Sequence, residues 1–335
     1  MCNTSMNINN NYININDDDE DVTFVSNPSL EIDHVHLKVL NLENSIHFYQ
    51  SSLGFSVIDT DPKKDAVYLG PKSLSGDSDK PSSSILVLTQ TNKDKEKTFR
   101  PNNLKKEAGL FHFAILLPER KYLASFLRHL QSNLDPQFYE GMADHAVSES
   151  IYLHDPDNNG IEVYRDRKPY EWKWINENKV YMVTEPLDVQ SLLDQFGNEK
   201  WTGLPIHTSL GHVHLHVSNL LKAKKFYQES LGLYHTATYP GAYFFAADGY
   251  HHHIATNTWI GTNLMPNSAN DQQKSGLDHY AIRLPAEIEV VKRLKNNLMK
   301  NGVVIDDKLD DTDKHKSSSF YVYDQDGIKI QFLFK

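Results

Sequence analysis

The sequence predicts an α+β fold of four similar units, each a strand, a helix and further strands, arranged as two pairs. Three observations carry this. The stretch IDHVHLKVLNLENSIHFYQSSLGF from Ile32 returns as LGHVHLHVSNLLKAKKFYQESLGL from Leu210, with H-V-H-L-x-V, F-Y-Q and S-L-G shared at one offset of 178 residues. GLFHFAILLPERKYLASFLRHLQ from Gly109 and GLDHYAIRLPAEIEVVKRLKNNLM from Gly276 again lead from a histidine-bearing strand into a helix. Hairpins close the units, SIYLHDPDNNGIEVYRD from Ser150 and SFYVYDQDGIKIQFLF from Ser319. A repeat this long marks duplicated domains, because solenoid periods are far shorter.

Taken in order, residues 1–29 are rich in Asn and Asp (MCNTSMNINNNYININDDDED) and show neither a basic n-region nor an apolar h-region. They read as a disordered tail rather than a targeting segment, with the fold beginning near Glu31. Residues 30–175 form the first domain. Its opening strand alternates with period two, and an amphipathic helix then runs to the S-L-G turn. Residues 176–206 join the halves, with PLDVQSLLDQFG as a short helix. Residues 207–335 repeat the plan.

A chain of 335 residues has room for two ordinary domains. Its 39% hydrophobic and 23% charged residues suit a globular protein, and no apolar run is long enough to span a bilayer. A net charge of −10 without a basic patch argues against nucleic acid as a partner. Cys2 is the only cysteine, which excludes internal disulfides and thiolate-rich metal sites. A reducing compartment is compatible with that, and the cytoplasm is the expected address.

The repeat brings the histidines into register. His34 opens the first strand, His112 the second unit, and Glu162 follows in its closing hairpin; His212, His279 and Gln331 hold the same places in the second half. Two imidazoles and a carboxylate drawn from three strands would make a facial triad with open positions, suited to non-haem Fe(II). Duplication also copies structural histidines, so spacing alone leaves both readings open. The run GYHHHIATNTW, Gly249 to Trp259, adds three consecutive histidines whose side chains would alternate between faces if they lie on a strand.

IDHVHLKV…FYQSSLGF, GLFHFAILLP and DHAVSESIYLHDPDNNGIEVYRDR together resemble the vicinal oxygen chelate superfamily, above all its catechol 2,3-dioxygenase-like members. Glyoxalase I and the bleomycin-resistance proteins are more distant relatives. The resemblance covers about residues 30–175 and 207–335. It implies four βαβββ modules paired into two open barrels, each around a divalent metal: most simply Fe(II), with Mn, Zn or Ni as alternatives. It implies His34, His112 and Glu162 as one ligand set, with His212, His279 and Gln331 as a second, weakened by the uncharged glutamine. Tyr152, ten residues before Glu162, and Tyr321, ten before Gln331, stand where the dioxygenases carry a catalytic tyrosine. The 251–253 run falls where they carry an acid–base histidine, which makes His252 or His253 the expected actor. The matching strand of the first half has no histidine, leaving His145 as the nearby group for proton transfer. Ligands thus look complete in one half while the extra histidines lie in the other. The expected activity is extradiol cleavage of a small aromatic catechol with O₂. The alternatives are a glyoxalase-like lyase or isomerase and a non-catalytic binding protein of the same fold. A homo-oligomer is compatible with either, and no membrane partner is expected.

Overall fold

The computed structural model describes residues 24–72, 84–91, 106–195, 199–247, 249–267, 273–307 and 319–335. The first unit comprises β1 (Glu31–Val39), α1 (Leu42–Ser51), β2 (Ser56–Asp61), β3 (Ala66–Gly70) and β4 (Leu86–Gln90). The second comprises β5 (Gly109–Leu116), α2 (Arg120–Asn133), β6 (Tyr139–Asp144), β7 (Ser148–His154) and β8 (Gly160–Asp166). A small hairpin, β9 (Trp174–Asn176) with β10 (Lys179–Val180), and α3 (Val189–Gln195) follow. The third unit is β11 (Ser209–His216), α4 (Leu220–Lys224), β12 (Tyr234–Tyr239), β13 (Ala242–Ala246) and β14 (Ile254–Asn257). The fourth is β15 (Gly276–Leu284), α5 (Ile288–Lys300), β16 (Ser319–Tyr323) and β17 (Lys329–Phe334). In this unit two strands follow the helix among the described residues, and Asp306 adds an isolated bridge to Tyr321.

The repeated motifs explain the repeated elements. Asn41 and Asn219 cap α1 and α4, each accepting a backbone N–H three residues on at 3.0 Å. The S-L-G turns end the helical segments on Gly54 and Gly232, at φ of 78° and 70°. Neither tolerates a side chain, since a Cβ would lie 2.6 Å from Gly203 Cα and from the Phe24 ring, respectively. The tyrosine of each F-Y-Q is fully buried and donates to an aspartate of the closing turn in the same half: Tyr49 to Asp155 and Tyr227 to Asp324, both at 2.9 Å. Residues 24–29, expected in the tail, instead lie along the second half: Ser26 N–H donates to Gly232 O at 2.9 Å. Residues 1–23 are outside the described set.

The strands do not pair the way chain order suggests. In one open arc the order is β6–β7–β8–β5–β11–β14–β13–β12, uniting the second and third units. The other arc runs β16–β17–β15–β1–β4–β3–β2, uniting the first and fourth. Among the described residues a single register pair, Ile32 with Leu210, joins the arcs through β1 and β11. Neither arc closes into a barrel. Each half of the chain therefore contributes one unit to each arc. The helices stay with their own half, while the opening strands exchange partners.

Candidate metal centre

Register assembles the centre. On β11, His212 lies opposite Ala114 of β5, and Ala114 lies beside Glu162 of the parallel strand β8. Alanine is short enough for His212 and Glu162 to meet above it, with Nε2 2.9 Å from Oε2. His112, two residues before Ala114 and so on the same face, brings its Nε2 to 3.0 Å from that same oxygen. The three ligand atoms lie within 4.8 Å of one another, and all three residues are buried.

Burial works against the charge of Glu162, but His212 and His112 outweigh it and hold the carboxyl well below its ordinary range. Burial also pushes the His212 imidazole down, towards the neutral form that a metal requires. Ser150 Oγ donates to Glu162 Oε1 at 2.6 Å, leaving Oε2 as the oxygen facing the histidines. Although His112 Nε2 is so near this oxygen, it makes no hydrogen bond. Two imidazole nitrogens converging on one carboxylate oxygen, one of them off the hydrogen-bond line, fit a shared cation better than a pair of ion pairs.

Around the triad lies a cavity of about 280 Å³, walled by Phe111, Phe244, Trp259 and Met182 and containing His145, Tyr152, His214 and His252. His145 donates from Nδ1 to Val183 O at 2.7 Å, so its Nε2 accepts the Tyr152 hydroxyl at 2.6 Å. Burial and the Glu162 charge push the Tyr152 phenol well up, keeping it a donor. His214 Nε2 accepts from Asn257 Nδ2 at 2.9 Å. His252 lies against the His212 ring, with centroids 4.1 Å apart.

Several sequence expectations change here. His34 does not join His112 and Glu162: β1 pairs with β15, which places its ring 5.5 Å from that of His279. His212, expected with His279 and Gln331, completes the other set because β11 pairs with β5. Tyr321 and Gln331 stay with His34 and His279 in the first–fourth arc. The histidine run lies just ahead of β14 rather than on it, and its members separate. His252 faces the triad cavity, His251 is fully buried behind it, and His253 lines a different depression beside Arg283. Of His252 and His253, only His252 shares the cavity, together with His145, the group named for proton transfer in the first half. Sequence reasoning missed His214, Ser150 and Asp166. The first two lie two residues from His212 and Tyr152 on strands, so strand alternation could have flagged them.

The family model described as the Glyoxalase/Bleomycin resistance protein/Dioxygenase superfamily matches residues 31–163 and again 209–332. A catechol-2,3-dioxygenase of Bacillus subtilis (strain 168) is 39% identical over 271 residues, covering 79% of this chain and 87% of that one. Two solved structures are similar in fold alone. A provisionally assigned dioxygenase from Bacillus subtilis subsp. subtilis str. 168 matches with TM-score 0.58 at 12% identity, covering 91% of this chain and 84% of that one. Glyoxalase I from Zea mays matches with TM-score 0.53 at 15% identity, covering 91% and 92%. With both halves matched by the family model and a relative this similar along most of its length, the chain belongs to the glyoxalase, bleomycin-resistance and dioxygenase superfamily.

Proposed function

We propose that His112, Glu162 and His212 hold Fe(II) and that the protein cleaves the ring of a small catechol beside its hydroxyls, with O₂ as co-substrate. One observation carries this reading: two imidazoles and one carboxylate bring their ligand atoms within 4.8 Å of one another in an aromatic-walled cavity. That donor set suits Fe(II) and leaves coordination positions open. The similarity to a catechol-2,3-dioxygenase supports the same substrate class. When bound, the metal supplies a Lewis-acid centre at which the substrate oxygens and O₂ can lie side by side.

The residues of the chain divide the remaining work. Phe111, Phe244 and Trp259 take the faces and edges of the aromatic ring and exclude water. His252 is the cavity base that accepts a proton from a substrate hydroxyl. The Tyr152 hydroxyl gives its one hydrogen to His145 Nε2; released from that bond, it becomes a donor beside Glu162 for oxygen that develops negative charge. Ser150 fixes the carboxylate through its second oxygen.

Anaerobic loading with Fe(II), metal analysis and an O₂ electrode test the reading. The expected result is one iron per chain and O₂ uptake matched to loss of catechol. An iron-loaded protein that consumes no O₂ with any simple catechol would refute it, and O₂-independent turnover of a hemithioacetal would favour a glyoxalase-type reaction.

A further inference from the structure

Behind His252 a hydrogen-bonded chain runs from the cavity to the surface. His251 is fully buried, with Nδ1 2.7 Å from His252 Nδ1 and Nε2 2.7 Å from Asp166 Oδ1. The second oxygen of Asp166 accepts the Tyr250 hydroxyl at 2.9 Å, and Tyr250 O accepts from Tyr164, also at 2.9 Å. The Trp172 ring stands edge-on to His251 at 5.2 Å and shields it. The Asp166 side chain is 20% exposed and opens onto a polar surface depression shared with Arg165, Lys168 and Glu171.

We propose that Asp166 and His251 are positioning residues that fix the tautomer of His252 and form the outlet for the proton it receives. This rests on the dioxygenase reading above. A carboxylate only accepts, so His251 Nε2 carries the hydrogen and its Nδ1 is a lone pair. His252 Nδ1 must then donate, and Nε2 is left as the acceptor available to the cavity. Without Asp166, His251 is free to carry its hydrogen on Nδ1. His252 would then hold its own on Nε2 and present a donor where substrate needs a base.

The same bonds conduct. A proton arriving at His252 Nε2 is matched by Nδ1–H passing to His251 Nδ1, and by His251 Nε2–H passing to Asp166 Oδ1, which releases it to water. Each imidazole gives one proton and takes one, so no charge stays buried, and both rings then hold the opposite tautomer. The same transfers run in reverse restore the base, with Asp166 taking a proton from water once His252 Nε2–H has passed to product. Asp166 ends β8 of the first half while His251 and His252 precede β14 of the second, so neither half holds the path alone.

Long-range ¹H–¹⁵N spectra of the ¹⁵N-histidine-labelled full chain, metal-free and zinc-loaded, read the tautomers directly. Single-histidine variants assign the signals. The expected pattern is Nε2–H on His251 and Nδ1–H on His252, with Asp166→Ala shifting His252 towards Nε2–H. In the iron-loaded protein Asp166→Ala should lower kcat by roughly 10²-fold, the lower end for a misplaced acid–base group. KM and iron content should stay the same, and added formate should restore part of the rate. Asp166→Asn keeps an accepting oxygen but cannot take up the proton, so it should preserve the tautomers and still lower kcat. Nε2–H on wild-type His252, or an Ala variant with unchanged tautomers and rate, would overturn the positioning role. Wild-type kcat in the Asn variant would overturn the proton path. Failure of the wild type to turn over catechols refutes the dioxygenase reading instead, and the spectra still decide the tautomers.

Discussion

The two arcs carry the same scaffold around different centres. His212, Ala114 and Glu162 align across three strands in one; His34, Ala281 and Gln331 align identically in the other. His112 corresponds to His279, and Tyr152 to Tyr321. Three neighbours of these aligned residues differ. Glu162 has become Gln331, which brings no charge. Gly160, beside His112, has become Lys329, whose ammonium lies 3.9 Å from Asp278 and over the Tyr321 ring at 4.3 Å. Phe111 has become Asp278, which accepts from His279 Nδ1 at 2.7 Å and also lies 3.8 Å from Lys38. His36, Asp278 and His279 do form a second close group of donors. Lys38 and Lys329 already stand beside its only carboxylate, where a metal ion would have to compete with them. Burial opposes ionisation of Asp278, yet His279, His36 and Lys329 hold its carboxyl well below the ordinary range. Duplication preserved the alignment, and single charges now distinguish the two copies.

The sharpest test of this contrast removes each centre in turn. Glu162→Ala deletes the only anionic residue of the triad. It should abolish bound iron and lower oxygen-dependent turnover by about 10³-fold or more, at or beyond the loss of an electrostatic stabiliser. Gln331→Ala should leave iron content and rate within about twofold, as for sites that do not interact. Equal losses from both would erase the distinction. A second test runs the other way. Gln331→Glu together with Lys329→Gly should raise bound divalent metal from one to two per chain by mass spectrometry. Gln331→Glu alone should add little, because Lys329 still sits beside Asp278.

The exchange of partners is also where the sequence stopped being legible. Repeats, strand alternation and the Asn and Gly punctuation locate the four units, since each depends on residues close in the chain. The residue types of the centre were legible too: His112, Glu162 and His212 all stand out by register. What could not be read was that β5 would pair with β11 and β1 with β15. Both pairings present the same apolar, alternating faces, and the choice rests on long-range packing that the local pattern does not encode. Kept within one half, the ligands and the extra histidines looked divided between two sites. Crossed, His112 and Glu162 from one half meet His212 and His252 from the other in a single cavity. Asp166 escaped notice because its partner His251 is 85 residues away.

Tyrosines sharpen the comparison at a smaller scale. Tyr152→Phe removes the donor beside Glu162 and leaves His145 Nε2 without its partner. It should lower kcat by about 10–100-fold with metal retained, the scale of a lost outer contact at a metal site. Tyr321→Phe, in the equivalent place under Lys329, should leave kcat unchanged, measured side by side on iron-loaded protein. A loss from Tyr321→Phe as large as from Tyr152→Phe would mean that the first–fourth arc takes part in turnover.

The smallest effect is on stability, and it belongs to the arc without the triad. Burial, and after it His279, lowers the His36 imidazole to about 3, against a partial upward pull from Asp278; His34 and Lys329 add to the lowering. In the unfolded chain the same group takes up its proton near the ordinary value of about 6.5. Between these values the unfolded state binds a proton that the folded state refuses. Stability conferred by this residue is therefore complete above the ordinary histidine value and falls as pH drops through the window towards 3. One such group contributes a slope of at most about 1.4 kcal/mol per pH unit. His36→Gln removes the titration while leaving a side chain able to meet Thr89 Oγ1, the present partner of Nε2 at 2.9 Å. Denaturant unfolding of the metal-free chain at pH 7, 6 and 5 should thus show a shallower loss of stability for the variant than for wild type. Because the triad is metal-free in both proteins, its histidines contribute equally and cancel. Parallel slopes would mean that His36 is protonated in the folded state and that Asp278 accepts a full imidazolium, making the second centre an ion cluster of higher charge.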